Sequence, residues 1–148
     1  MEKVTLRQAE EKDLPFLFNV STLAMEPVVK ALNGKPKDFD EYKKNFKPEK
    51  IQIIQYDKHD VGRLRVVRSA ENIYVGGIQI LPEFQHKGIG TAILKALIAE
   101  SEQFHFPILL EVHAINLNAQ SFYKRLGFCT KKVVGEKIEL EYIPSSQI

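Results

Sequence analysis

The chain reads as an α+β protein, a mixed sheet covered by helices, and three observations carry that reading. Strand-like stretches follow one another across residues 50–81. Beyond them, two amphipathic helical patterns alternate with further strands, and no repeat, linker or low-complexity tract interrupts the sequence. A length of 148 residues suits one domain, residues 1–148, around a single hydrophobic core.

The elements follow in order. KVTLRQ (3–8) alternates polar and apolar side chains, as a half-buried strand does. AEEKDLPFLFNVSTLA opens a helix: Asp13 or a neighbour caps it, Pro15 fits its first turn, and acidic residues stand at its positive end. Pro27, Gly34 and Pro36 interrupt MEPVVKALNGKPKDF, which predicts a loop with at most one helical turn. A short amphipathic helix follows over residues 39–46 and stops at Pro48. KIQIIQYD (50–57), DVGRLRVVRS (60–69) and NIYVGGIQIL (72–81) are strands joined by DKHD and SAEN turns. The helix after PEFQHKGIG carries Ile89, Ile93, Ala96 and Leu97 at i, i+4, i+7 and i+8. FPILLEVHA predicts a buried strand. NLNAQSFYKRLGF is a helix with asparagines at its start and Gly127 at its stop. FCTKKVV and KIELEYI form a hairpin around Gly135 and Glu136.

Composition excludes several classes. Hydrophobic residues make up 44% and charged residues 27%, an ordinary globular balance that disordered and fibrous chains lack. A net charge of +2 gives no argument for nucleic acid as a partner, and the pairs Lys43-Lys44 and Lys131-Lys132 read as solvated surface. The lone cysteine, Cys129, excludes an internal disulfide framework and fits a reducing compartment. No apolar run reaches bilayer length, and MEKVTLRQAEEKD has no signal-peptide core. The expectation is a cytoplasmic monomer or homodimer without a membrane partner.

The most informative stretch is Gln85-His86-Lys87-Gly88-Ile89-Gly90, between a strand and a helix. Unpaired N–H groups and the helix dipole favour an anion there, and glycines at 88 and 90 let a phosphate approach without a Cβ in the way. The spacing fits neither a G-x-x-x-x-G-K-[ST] loop nor G-x-G-x-x-G, for Ile93 stands where the latter needs glycine. Taken alone, the two glycines equally describe a plain tight turn.

The wider context is I-x-I-x-P-x-x-Q-x-x-G-x-G, carried by Ile78, Ile80, Pro82, Gln85, Gly88 and Gly90. Further along stands N-x-x-A-x-x-F-Y-x-x-x-G-F, carried by Asn116, Ala119, Phe122, Tyr123, Gly127 and Phe128. Together these resemble the GNAT superfamily of acyl-CoA-dependent N-acetyltransferases, over residues 72–128. The resemblance implies a strongly twisted, mostly antiparallel sheet flanked by helices and opened in a V between the 72–81 and 107–114 strands. It implies acetyl-CoA as cosubstrate, without a metal. Its pyrophosphate would rest on the amides of Gln85, His86, Lys87, Gly88, Ile89, Gly90 and Thr91. Its pantetheine arm would pair with the backbone around Ile78 and Ile80, and Asn116 and Tyr123 would complete the cofactor contacts.

Acyl transfer to an amine needs a neutral amine, a stabilised oxyanion and a proton for the departing thiolate. An amine with pKa near 10.4 is neutral in only a few parts in ten thousand at pH 7, so a base must take its proton, directly or through water. A backbone N–H of the 72–81 strand is the natural oxyanion donor. Tyr123 matches the family's general acid, and the edge of an Ala119, Phe122 and Leu126 stripe suits a half-buried ring facing a cleft; plain core packing is the other reading. Many relatives keep a carboxylate on the central strand, where this chain has Gly76 and Gly77. Those glycines would widen the acceptor end or mark a strand irregularity. Glu26, Glu71, Glu111 and His113 remain as candidate bases, each also readable as an ordinary surface or satisfied polar residue. Cys129, with no paired base, reads as inert packing.

The function expected is transfer of acetyl from acetyl-CoA to a primary amine of a small molecule or peptide. One alternative is an acyl-CoA-binding sensor with little turnover, consistent with the missing strand carboxylate. Another is a nucleotide-phosphate binder, which would need neither Tyr123 nor Asn116. Residues 20–48, the expected acceptor lip, mix charges of both signs and leave the acceptor open.

Overall fold

The computed structural model describes residues 3–145. Its elements are β1 (Val4–Gln8), α1 (Leu14–Ala31), α2 (Phe39–Lys44), β2 (Gln52–Tyr56), β3 (His59–Arg68), β4 (Ile73–Ile80), α3 (Ile89–Phe104), β5 (Ile108–His113), α4 (Leu117–Arg125), β6 (Cys129–Val134) and β7 (Lys137–Tyr142). The strands form a seven-stranded, mostly antiparallel sheet in the order β1-β2-β3-β4-β5-β7-β6. Two compact units divide the chain: one runs up to Arg65 and includes Gly77–Gly90, the other comprises Val66–Gly76 and everything from Thr91 on.

In the first unit, β1 pairs antiparallel with β2, Val4 facing Tyr56 and Gln8 facing Gln52, and β2 pairs antiparallel with β3 through an irregularity at Ile54 and Gln55. Ala9, Leu17, Ile51 and Ile53 make a buried cluster, with Phe16 and Phe46 packed on it. Asp13 does stand just before α1, with Pro15 in the first turn, but its carboxylate does not cap that helix. It accepts from the Glu10 amide at 2.8 Å and from Arg7 Nη1 and Nη2 at 3.0 and 2.9 Å. The same guanidinium reaches Asp60 on β3 through Nη2 at 2.8 Å and Nε at 3.2 Å, so one arginine ties strand, helix start and neighbouring hairpin.

Helix α1 also runs further than expected, through Pro27 to Ala31. A proline in a helix interior costs about 3 kcal/mol through its missing N–H and its clash with the preceding turn. Leu17, Val20, Ser21 and Val28 lie buried on one face of α1, and this burial on both sides of the proline carries the helix past it. The short α2 is capped by Asp38, whose carboxylate accepts from the Asp40 amide at 3.3 Å.

In the second unit, β4 pairs parallel with β5 over Ile73–Ile108, Tyr74–Leu109 and Val75–Leu110. Strand β5 pairs antiparallel with β7 from Ile108–Tyr142 to His113–Lys137, and β7 turns back from β6 at Gly135, whose φ is +60°. The β5 strand is not buried throughout: Ile108, Leu110 and Val112 are buried, while Glu111 between them is exposed. The inner face of α3 also differs from expectation. Ile89, Ile93, Leu94, Leu97 and Ser101 are buried and Ala96 is exposed, so the buried face extends to the Leu94 side of the helix and stops short of Ala96. On its outer side, Glu100 accepts a two-pronged ion pair from Arg68, at 2.6 and 2.8 Å.

Candidate active site

In the first unit the chain leaves β4 through a single 3-10 turn, Pro82–Phe84, and Gln85 closes it. The Gln85 side chain turns back and its Nε2 donates to the Ile80 carbonyl at 3.0 Å, so this glutamine braces the loop against the strand. His86 and Gly88 both take positive φ, 64° and 81°. The amides of His86, Lys87 and Gly88 donate to no acceptor among the described residues, and these three residues are exposed. The chain then runs directly into α3, whose first-turn amides have no acceptor within the helix. The result is a run of free N–H groups at the positive end of a dipole, a form suited to phosphate oxygens. A Cβ at Gly88 would meet no protein atom within 4 Å, so glycine is needed there for its backbone angle. Ile89 is 1% exposed and anchors the loop through its side chain, leaving its amide as what it offers a ligand. Ile78, Ile80, Gly90 and Thr91 are half-buried.

In the second unit, Asn116 caps α4, its Oδ1 accepting from the Ala119 amide at 3.2 Å. Tyr123 differs from the half-buried edge residue expected. It is only 8% exposed and shares the inner face of α4 with Gln120, while Ala119, Phe122 and Leu126 are half-buried. The reason lies in its neighbours, for Phe122 and Phe128 meet the ring edge-to-face at centroid distances of 5.2 and 5.5 Å. No hydrogen bond engages its hydroxyl among the described residues, and burial alone pushes the phenol up to about 12. Gly127, at φ +102°, ends the helix as expected.

The candidate bases stand in varied surroundings. Glu26, in the first unit, is exposed and paired with Lys30 at 2.7 Å. In the second unit, Glu71 is exposed in a turn where Ser69 Oγ accepts from its amide, and exposed Glu111 accepts from the Tyr74 hydroxyl at 3.0 Å. His113 is half-buried, its Nδ1 enclosed without a hydrogen-bond partner. Cys129, expected as packing, is exposed at the start of β6. Among the described residues no group of three or more His, Cys, Asp and Glu side chains could hold a metal, and no helix is long and apolar enough to cross a membrane.

Sequence reasoning missed Arg63. Its guanidinium lies against β4 at Gly77, where a Cβ would stand 2.8 Å from Nη1, and Nη1 donates to Gln79 Oε1 at 3.2 Å. The only signal was the bare Gly77 itself.

A mixed sheet flanked by helices, with a loop of free amides leading into α3, defines an α+β protein with an anion-binding loop. Residues 17–128 match the acetyltransferase (GNAT) family, and the chain belongs to that family. It is an acetyltransferase that transfers the acetyl group from acetyl-CoA to an amine. Among solved structures, it is similar to the PaiA N-acetyltransferase from Thermoplasma acidophilum in complex with coenzyme A, at 18% identity over 95% of this chain and 99% of that one, with a TM-score of 0.75. An acetyltransferase from Thermus thermophilus is 17% identical over 95% and 97% of the two chains, with a TM-score of 0.79. The ribosomal-protein-S18-alanine N-acetyltransferase from Escherichia coli is 20% identical over 98% and 97%, with a TM-score of 0.69. No curated protein matches the sequence significantly.

Proposed function

We propose that the amides of residues 86–91 hold the pyrophosphate of acetyl-CoA, the Gln85 amide being taken by the Pro82 carbonyl at 3.2 Å, that the backbone around Ile78 and Ile80 pairs with its pantetheine arm, and that Asn116 and Tyr123 complete its contacts. The observation that carries this reading is the set of free amides at His86, Lys87 and Gly88, held open by two positive φ angles. The family match spans both compact units, which supports reading residues 1–148 as one acetyltransferase domain. The lone cysteine, Cys129, fits a cytoplasmic location.

In the reaction the neutral amine attacks the thioester carbonyl carbon, a C–N bond forms and the C–S bond breaks. The amine gives up a proton to a base or water, and the thiolate takes one from Tyr123, which recovers it from solvent. A phenol pushed up to about 12 gives its proton uphill to a thiolate whose acid is near 8.5 in water. A thiolate leaving into the same dry surroundings is destabilised as well, which narrows that gap.

Thiol release from acetyl-CoA across an amine panel tests turnover, and calorimetry with CoA tests the loop. Gly88→Val forces a β-branched residue to φ 81° and puts methyl groups where phosphate would approach, so CoA affinity should fall at least about tenfold. Unchanged affinity in a folded Gly88→Val variant would mean that the phosphates lie elsewhere. Tight CoA binding by the wild type without thiol release on any amine would favour the sensor reading.

A further inference from the structure

The first unit holds a cavity of about 530 Å³ lined by α2, the segments beside it, and the face of β3 that carries Arg63 and Arg65. Five cations line it: Lys37, Lys47, Lys50, Arg63 and Arg65. Among the described residues two acids line it with them, Asp38 and Glu41, and the Asp38 carboxylate is engaged as the cap of α2. The Tyr42 ring forms part of the wall, with Lys37 Nζ 5.5 Å from its centroid.

Arg63 is the residue that requires an explanation. Its one hydrogen bond among the described residues is from Nη1 to Gln79, a neutral acceptor that also takes a hydrogen bond from Ser21 Oγ at 3.3 Å. Its Nε is fully enclosed and has no partner, and no carboxylate lies within ion-pair distance among the described residues. The Tyr42 hydroxyl, beside the guanidinium, is likewise enclosed without an aligned hydrogen bond. An enclosed charge without a counter-ion is costly, and an enclosed donor without an acceptor adds to that cost. Burial first, and the neighbouring Arg65 charge as well, hold the guanidinium below its usual range, while Tyr42 opposes them. Lys37 is exposed, with its ammonium over the Tyr42 ring; desolvation first, then the Arg63 charge, lowers its pKa. The cavity is therefore electropositive, and its lining includes a guanidinium without a counter-ion among the described residues. The Nη1 end of the same guanidinium lies against β4 at Gly77, next to Ile78, where the proposed function places the pantetheine arm.

We infer that this cavity is the acceptor pocket, and that the acceptor is a small amine carrying a compact anionic group, a carboxylate or a phosphate, held by Arg63 with Tyr42. The inference rests on the acetyl-CoA reading for the reaction but on the cavity alone for the anion. Gly77 serves it directly: any side chain there would displace the guanidinium from β4.

Matched acceptors test it. The panel is 4-aminobutanoate and 6-aminohexanoate, their carboxamides, the diamines of equal length, and 3-aminopropylphosphonate. At least one acid should exceed its amide and diamine in kcat/KM by about tenfold or more, the usual weight of a hydrogen bond to a charged group. Arg63→Gln and, more mildly, Tyr42→Phe should bring that ratio towards one, and Gly77→Ala should do so without removing any polar group. Preference for the phosphonate over the carboxylates identifies the anion as phosphate-like and leaves the pocket's role standing. Amides or diamines used as well as the acids would overturn the proposal, as would an acid preference that survives Arg63→Gln. Occupancy is read apart from turnover by the Arg63 Nε–H resonance in 15N-labelled protein. A shift with 4-aminobutanoate or 3-aminopropylphosphonate, but no thiol release with any amine, would sink the transferase reading and keep the anion pocket. Turnover without a shift and without acid preference would do the reverse.

Discussion

Replacing Tyr123 by phenylalanine separates a working hydroxyl from a packed ring. The ring sits between Phe122 and Phe128, contacts that phenylalanine retains. The hydroxyl has no partner in the protein among the described residues, so its removal should leave stability at pH 7 unchanged or raised by up to about 1 kcal/mol. Tyr123 also titrates in an unusual range. Its folded value of about 12 lies above the ordinary 10.0, so its contribution is complete below pH 10 and is lost as pH rises through 12. A shift of that size corresponds to roughly 2–3 kcal/mol. Urea titrations from pH 8 to 12 should show this alkaline loss in the wild type and a smaller one in Tyr123→Phe. Thiol release should fall by about a hundredfold or more, as for a lost general acid, with little change in KM for acetyl-CoA. An undiminished rate in the variant would refute the acid assignment and leave Tyr123 as packing. A loss of more than about 1 kcal/mol at pH 7 would show that the hydroxyl is hydrogen-bonded after all.

Two further outcomes follow from the first unit. A Cβ at Gly62 would collide with the Gln79 carbonyl oxygen and stand 3.2 Å from Ile80 Cα, backbone atoms that cannot turn aside. Gly62→Ala should therefore cost about 1–3 kcal/mol in denaturant unfolding, and an unchanged midpoint would contradict the close approach of β3 to β4. The carboxyls of Asp13 and Asp60 are held below the usual carboxylate range, chiefly by hydrogen bonds from Arg7. Groups lowered in this way stabilise above their unfolded value, so stability should fall below about pH 4. Asp13→Asn should be less stable at pH 7 and show a shallower acid decline; an acid slope equal to the wild type's would count against the clamp.

Much of the fold was legible in the sequence because its signals are local. Period-two alternation marked β1, strand-like runs between turn signals marked β2 to β4, and helical spacing of apolar residues marked α3 and α4. Caps and stops were legible for the same reason: Asn116 needs only the Ala119 amide three residues on, and Gly127 needs only its own positive φ. The loop at residues 85–90 was readable too, since glycine and a following helix suffice to leave amides free.

Other features depended on partners distant in sequence, and only the tertiary structure decided them. Proline at 27 looked like a breaker until Val28 beyond it proved to be buried. Tyr123 looked like an edge residue because helical spacing gives a face but not what covers it; Phe128, beyond the helix, contributes to its burial. Asp13 or a neighbour read as a helix cap, but the Asp13 carboxylate is engaged by Arg7 from β1. Gly77 could be read as space or as an irregularity, and only the pairing of β3 beside β4 shows that the space is filled by Arg63 from fourteen residues earlier. Local patterns encode which residues form a strand or helix, whereas burial and electrostatics belong to whatever the fold packs against them.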